Sequence, residues 1–295
     1  MLEHRNTQPT NPKRVVVIGS RGVIGKPMAD RLTTENIAVR AVPADELDLL
    51  SDGATHRLAG ILEPDDSVVM FSALTPDKGR DIATLMKNLT MAETVCAAIE
   101  KSGCAHAIYF SSDAVYPFVS GLVTEESAPA PADLYGVMHR AREIMFEHTV
   151  REAPLAILRC TLVLSARDTH NSYGPNRFRR QATADGRIGL GGEGEEERDH
   201  ISVDDVVDLV IRVLRNASAG TLNVATGNSA SFLEVAKLVA NQADRDVEIT
   251  FSERNSPITY RHFDIAALHK AFPDFTPTTL KDAITQVRLV EQPDL

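Results

Sequence analysis

The chain has 295 residues, enough for one large domain or two ordinary ones around a well-buried core, so stability need not come from disulfide or metal staples. Its 31 Lys and Arg against 41 Asp and Glu give a net charge of −10, which disfavours a sequence-independent grip on nucleic acid or an anionic membrane. Three cysteines (Cys96, Cys104, Cys160), odd in number and without metal-ligand spacing, read as reduced core thiols of a cytoplasmic protein with no metal site.

Residues 1–13 are polar, carry Pro9 and Pro12, and are expected to form a loose tail. No signal-peptide core opens the chain, and apolar runs such as 15–18 and 68–71 are far short of a membrane span; the expectation is a soluble, unexported protein with no membrane partner. From residue 14, short β-branched runs alternate with helical periodicity, the pattern of a doubly wound α/β domain whose parallel sheet is covered on both faces. Strands are expected at 15–18, 37–42, 67–71, 107–110 and 156–158. A helix is expected over about 80–101, where Ile82, Leu85, Met86, Leu89, Val95, Cys96 and Ile99 make one apolar face and Gly103 the stop. Another is expected over about 134–151, before Pro154. Residues 165–197 are rich in Gly, Arg, Asn and Glu with little periodicity and read as a substrate loop. Regularity resumes with a helix at 203–214, a strand at 221–224, a helix at 232–243 and a strand at 247–251. This divides the chain into a dinucleotide domain at 14–164, rejoined by 200–230, and a smaller substrate lobe from 165–199 and 231–295.

The dinucleotide reading rests on GSRGVIG directly after the first strand. Gly19 permits the tight turn, Gly22 lets backbone approach a pyrophosphate, Gly25 lets helix and strand pack closely, and the helix N-terminus with Val23 and Ile24 offers free N–H groups. The acid that usually meets the adenosine ribose after the second strand is missing from Val39-Arg40-Ala41-Val42-Pro43. Arg21 and Arg40 are candidates for a 2′-phosphate, favouring NADP over NAD, with a solvated surface charge the alternative for both.

Further motifs are FSSDAVYP (110–117), YGVMH (135–139), NLTMAETVCAAIEKSG beginning at Asn88, NSYGPNRF (171–178), RDHISVDDV (198–206) and LNVATG (222–227). With the glycine turn and the apolar strand running to Ala73, they resemble an extended short-chain dehydrogenase/reductase of the NAD(P)-dependent sugar epimerase/dehydratase family, from Arg14 to about Val287. The resemblance implies a Rossmann-type fold and NAD or NADP held by Gly19, Arg21, Gly22, Val23, Ile24, Gly25, Arg40, Ala73, Asn88, Tyr135 and His139. It implies hydride transfer on a nucleotide-activated sugar or keto-sugar, Tyr135 exchanging a proton with the sugar oxygen and Ser112 hydrogen-bonding that oxygen. It also implies a homodimer through the two long helices.

The family places a lysine four residues after the tyrosine, one helical turn away; here that residue is His139, shorter and mostly neutral at pH 7. Three readings are open: His139 completes the relay and binds the cofactor ribose, other acid–base groups act, or the chain binds cofactor with little catalysis as a regulatory or assembly protein. Asp113 is either catalytic or a capping carboxylate, and Ala114 stands where dehydratases carry a glutamate, which disfavours dehydration. On the substrate side the motifs imply Ser112, Asn171, Arg177, Phe178 and Arg198. Arg177, Arg179, Arg180 and Arg198 form a local basic cluster suited to a diphosphate, although some of them are open to a purely solvated role. A non-nucleotide carbonyl substrate is the remaining alternative.

Overall fold

A computed structural model describes residues 1–118, 121–168, 174–255 and 257–291. In chain order, β1 (Arg14–Ile18) leads into α1 (Gly25–Thr34), followed by β2 (Val39–Val42), α2 (Ala54–Ile61), β3 (Asp66–Met70), α3 (Ile82–Ser102) and β4 (His106–Ser112). A 3-10 turn at Asp113–Val115 and the short β5 (Leu122–Val123) precede α4 (Leu134–Thr149), β6 (Leu155–Cys160), β7 (Leu162–Leu164), α5 (Pro175–Asp185) and β8 (Arg187–Gly191). Then come β9 (Glu197–Ser202), α6 (Val203–Arg215), β10 (Gly220–Val224), β11 (Ser229–Ser231), α7 (Phe232–Gln242), β12 (Glu248–Ser252), β13 (His262–Phe263), α8 (Ala266–Ala271) and α9 (Leu280–Glu291).

Six strands form one parallel sheet in the order β10-β6-β4-β3-β1-β2. Alternate residues of each strand face opposite ways, so one apolar run feeds two cores. Val15 and Val17 pack with Met28 and Leu32 of α1 and with Val206 to Leu214 of α6. Val16 and Ile18 pack with Leu58, Val95 and Phe146 of α2, α3 and α4. The chain leaves β1 for β2 on one side and β3 on the other, which makes the gap beyond the carboxyl ends of β1 and β3 the crevice where doubly wound sheets hold ligands. A third core, with Phe178, Ile188, Leu190, Phe232, Val235 and Ile284, belongs to the C-terminal lobe. Among the described residues, no helix is long and apolar enough to cross a membrane.

Two expectations about organisation are corrected. Residues 1–13 are tied down: Glu3 makes an antiparallel bridge with Ala219, Arg5 and Asn6 donate to the Asn216 carbonyl, and His4 Nδ1 bonds Ser218 Oγ at 2.8 Å. Backbone pairing outweighs the polar composition of that segment. The region 165–197 is not only a loop, because it contains α5 and β8. Gly174 and Pro175 start α5 and left-handed Gly186 ends it, but its inward stripe is little more than Phe178 and Ala182, too narrow for periodicity to show.

Candidate active site

The glycine turn lies at the crevice between β1 and β3. Gly19 has φ +86°, a left-handed conformation that favours glycine, and a Cβ on it would meet Ser72 of the segment following β3. A Cβ on Gly25 would fall 2.2 Å from the Gly19 carbonyl oxygen, so the third glycine is what lets α1 start against the strand end. Gly22 is exposed; its N–H and that of Lys26 bond the Gly19 and Gly22 carbonyls, which leaves the N–H groups of Val23, Ile24 and Gly25 without a backbone acceptor among the described residues. This cradle of bare backbone fits a pyrophosphate. Arg21 and Arg40 are each engaged by a carboxylate, Asp45 and Glu46 respectively. A 2′-phosphate at this position would have to compete with both acids.

Ala73 follows β3 next to Ser72. The Asn88 side chain holds that segment in place, accepting from Leu74 N at 2.8 Å and donating to Leu74 O at 2.9 Å. Asn88 therefore shapes this side of the crevice through the loop it anchors. A cavity of about 120 Å³ beside it is lined by Leu74, Pro76, Arg80, Thr84, Asn88 and Tyr135, among others.

Tyr135 is delivered by the start of α4. Asp133 caps this helix by accepting from Gly136 N at 2.8 Å, and Gly136 is required because a Cβ would lie 2.2 Å from the Ala114 carbonyl oxygen. That close approach brings the tyrosine to Ser112 at the end of β4. Burial pushes the Tyr135 phenol well above its ordinary range and the Asp113 charge adds to it, while the Arg142 charge and a hydrogen bond with Ser112 pull it down. The Ser112 hydroxyl also accepts from Ala114 N at 3.1 Å. Asp113 is buried in an ion pair with Arg261 at 2.8 Å, and Arg261 also donates to the Tyr116 carbonyl. This arrangement matches the supporting role for Asp113, since its carboxylate binds a guanidinium that locks the turn after β4.

His139 is 3% exposed, one turn after Tyr135, with the two rings edge to face at a centroid separation of 4.7 Å. Its Nδ1 bonds the Tyr109 hydroxyl at 2.8 Å, and its Nε2 has no hydrogen-bond partner among the described residues. Burial, reinforced by the Arg142 charge, pushes the imidazole down to about 3, so it is neutral at physiological pH. An orphaned buried nitrogen next to the tyrosine is what a ribose hydroxyl would satisfy, and with the glycine cradle it makes the crevice fit a dinucleotide.

A second buried network hangs from the same helix. Glu143, fully buried, binds Arg159 Nη2 at 2.8 Å and accepts from Ser111 at 2.7 Å; Arg159 donates to the Tyr116 hydroxyl, which donates to Asn223. Sequence reasoning assigned no role to Glu143, Arg142, Tyr109 or Arg261. Glu143 lies eight residues after the tyrosine and Arg142 seven, both on its helix face, the one signal available beforehand.

Toward the C-terminal lobe, Arg198 and Arg261 both lie over the Phe118 ring, at 4.6 and 4.3 Å from its centre. Arg198 donates to the Glu197 and Thr259 carbonyls at 2.7 Å and pairs with no carboxylate among the described residues. Burial and the neighbouring Arg261 charge bring its guanidinium down to about 10. Phe178 is corrected from a substrate contact to a core residue: it is fully buried with Ala182, Ile188 and Leu190 and meets Phe232 edge to face. Arg177 is half-buried on the first turn of α5, Arg179 is buried farther along it, and Arg180 donates to the Asp168 carbonyl. Asn171 lies outside the described residues. All three cysteines are free thiols, and among the described residues no group of three or more His, Cys, Asp or Glu could hold a metal.

Comparison with known proteins places this geometry in context. The sequence model of the NAD dependent epimerase/dehydratase family matches residues 15–225. GDP-mannose 3,5-epimerase 1 of Oryza sativa subsp. indica is 24% identical over 284 residues, covering 84% of this chain and 73% of that protein. Among solved structures, RMD from Pseudomonas aeruginosa complexed with NADPH is similar with a TM-score of 0.81 at 24% identity, covering 93% of this chain and 97% of that one. UDP-glucuronic acid 4-epimerase from Bacillus cereus, in complex with UDP-glucuronic acid and NAD, also gives 0.81, at 20% identity and with 95% and 99% of the two chains covered.

Proposed function

Since the chain belongs to the NAD dependent epimerase/dehydratase family, we propose that it is an NAD(P)-dependent epimerase or keto-sugar reductase acting on a nucleotide-activated sugar. The observation that carries this reading is Tyr135 set beside Ser112, next to a glycine cradle at the sheet's switch point. Bound NAD or NADP would take up and return a hydride. Tyr135 moves the proton of the sugar oxygen, Ser112 hydrogen-bonds the same oxygen, and Arg198 holds the diphosphate over Phe118. Ala114 leaves no second carboxyl beside Asp113 for dehydration. NADP preference rests on Arg21 and Arg40 and requires the 2′-phosphate to displace Asp45 and Glu46 from them. Ile82 and Met86 on α3 with Val137 and Ile144 on α4 are exposed, which supports a homodimer through these helices, checked by mass in solution.

The test is incubation with NAD or NADP and a panel of UDP-, GDP- and ADP-sugars, followed by proton NMR for epimers and by absorbance for the reduced nicotinamide. Tyr135→Phe should lower turnover by about 10²–10⁴-fold with an unchanged melting temperature. Tight dinucleotide binding without turnover across the panel would overturn the enzyme in favour of a cofactor-binding regulatory protein, a reading that the neutral His139 supports.

A further inference from the structure

A neutral histidine in the place of a lysine keeps one N–H donor and loses the positive charge. A donor-only cation stands one turn farther along the same face of α4. Tyr135, His139 and Arg142 are spaced four and three residues apart, and Arg142 is 1% exposed. Its guanidinium donates to the Ser72 carbonyl at 2.8 Å, to the Asn88 backbone carbonyl from Nε at 2.8 Å and to the Asn88 side-chain oxygen at 3.1 Å. It pairs with no carboxylate among the described residues. A buried guanidinium held only by neutral oxygens keeps its charge uncompensated, so its field reaches the groups beside it. Those groups are the phenols of Tyr109 and Tyr135 and the imidazole of His139.

The hydrogen bonds also have a direction. Tyr109 is fully buried, and its hydroxyl has one hydrogen-bond partner among the described residues, His139 Nδ1 at 2.8 Å. With the hydroxyl as donor, only Nε2–H is left over, whereas with Nδ1 as donor both the Tyr109 proton and Nε2 would be, so the Tyr109 proton goes to Nδ1. Nδ1 is thus an acceptor. A neutral imidazole carries one proton, which then sits on Nε2, the nitrogen with no partner among the described residues.

We propose that Tyr109 is a positioning residue that fixes His139 as a neutral Nε2–H donor for a ribose hydroxyl of the bound dinucleotide, while Arg142 supplies the positive charge that acts on Tyr135. Donor and charge, which one lysine would carry together, are divided here between two residues. This inference rests on the dinucleotide reading of the crevice for its ligand. Its claim about the state of His139 holds for the free protein. The charged and titratable groups facing these residues are Arg142 and Glu143 on α4, the latter acting on Tyr109 of β4, and Asp113 and Cys160 beside Tyr135; α3 presents the neutral Asn88 and the thiol of Cys96.

The decisive measurement is a two-bond ¹H–¹⁵N correlation spectrum of the whole protein labelled in histidine, with His139 assigned by its disappearance in His139→Gln. The expected result is a neutral Nε2–H tautomer that does not titrate between about pH 5 and 9 and whose signals move when NAD or NADP is added. An Nδ1–H tautomer, a titrating ring, or signals unmoved by a dinucleotide that binds would each overturn the inference. Tyr109→Phe should release the tautomer and weaken dinucleotide binding about tenfold. Arg142→Met should move the Tyr135 limb of the pH–rate profile to higher pH by about one unit or more, and Arg142→Lys should restore it; an unmoved limb overturns the assignment of charge. Should Arg142→Met fail to fold, the wild-type spectrum still decides. A wild-type protein that neither binds a dinucleotide nor turns over any sugar nucleotide defeats the functional reading, whatever tautomer its His139 shows.

Discussion

Helix α4 carries two buried arginine-binding networks onto the same strand, and they are built on opposite plans. On one side Glu143 meets Arg159, Ser111, Tyr116 and Asn223 fill out the chain, and both charges find a partner. On the other side Arg142 reaches carbonyls of Ser72 and Asn88, Tyr109 bonds His139, and the imidazole keeps one nitrogen with no partner among the described residues. The closed network fastens α4 to β4 and β6. The open one ends beside Tyr135, at the crevice. Adjacent residues of one helix thus belong to opposite designs, and the difference lies in the charges: Glu143 and Arg159 neutralise each other, whereas Arg142 is held by neutral oxygens.

The closed network should be the more costly to break. Glu143→Ala leaves Arg159 buried without a counter-charge, and a loss of about 3–5 kcal/mol is expected in denaturant unfolding. A loss under about 1 kcal/mol would mean that the pair is structurally idle. Lowering the pH tests the neutral side of the comparison. Burial holds His106 and His200 down to about 4 and His139 to about 3, against an ordinary value of 6.5. In that window the unfolded chain binds protons that the folded chain refuses. Stability is therefore fully present above pH 6.5 and is lost as the pH falls toward 4, by about 1.4 kcal/mol per histidine per pH unit, measured as the unfolding midpoint against pH.

Arg198 extends the comparison to the substrate side, since it too is a guanidinium held by carbonyls and an aromatic face. Arg198→Ala should raise KM for a sugar nucleotide by roughly 10–100-fold, the worth of a charge-assisted hydrogen bond, and leave dinucleotide affinity unchanged. Equal activity would favour a carbonyl substrate without a diphosphate. The smallest effect belongs to the exposed pair of Arg21 and Asp45. Asp45→Ala should shift the NADP-to-NAD affinity ratio toward NADP by only a few-fold, in keeping with the ~0.5 kcal/mol of a solvated ion pair.

Much of the sheet half was legible because its strands are apolar on both faces and its helices long. The runs at 15–18 and 107–110 fall within β1 and β4, and the periodicity from Ile82 to Ile99 falls within α3. The lobe was less so. β7, β8 and β11 are short and half-exposed, and α5 has a thin apolar stripe; in the sheet half the same holds for α2, with only two buried residues. In the site, one turn of α4 sets Tyr135 against His139, while Ser112 comes from β4 and meets the tyrosine through the close approach of Gly136 to Ala114. Phe178 went astray because an aromatic residue in a loop motif looks the same whether it faces a ligand or a core. Arg261 gave no signal at all: it reaches Asp113 across 148 positions, from a stretch without periodicity.

The docking of the first residues has its own consequence. β10 is an outer strand of the main sheet, and such strands offer unpaired backbone to any passing chain. Glu3 takes the amide and carbonyl of Ala219 just where β10 begins, and Gly220, at φ +108°, makes room for the Met1 carbonyl. The polar leader acts as a selvedge, finishing this corner of the fabric so that it does not unravel into a neighbour.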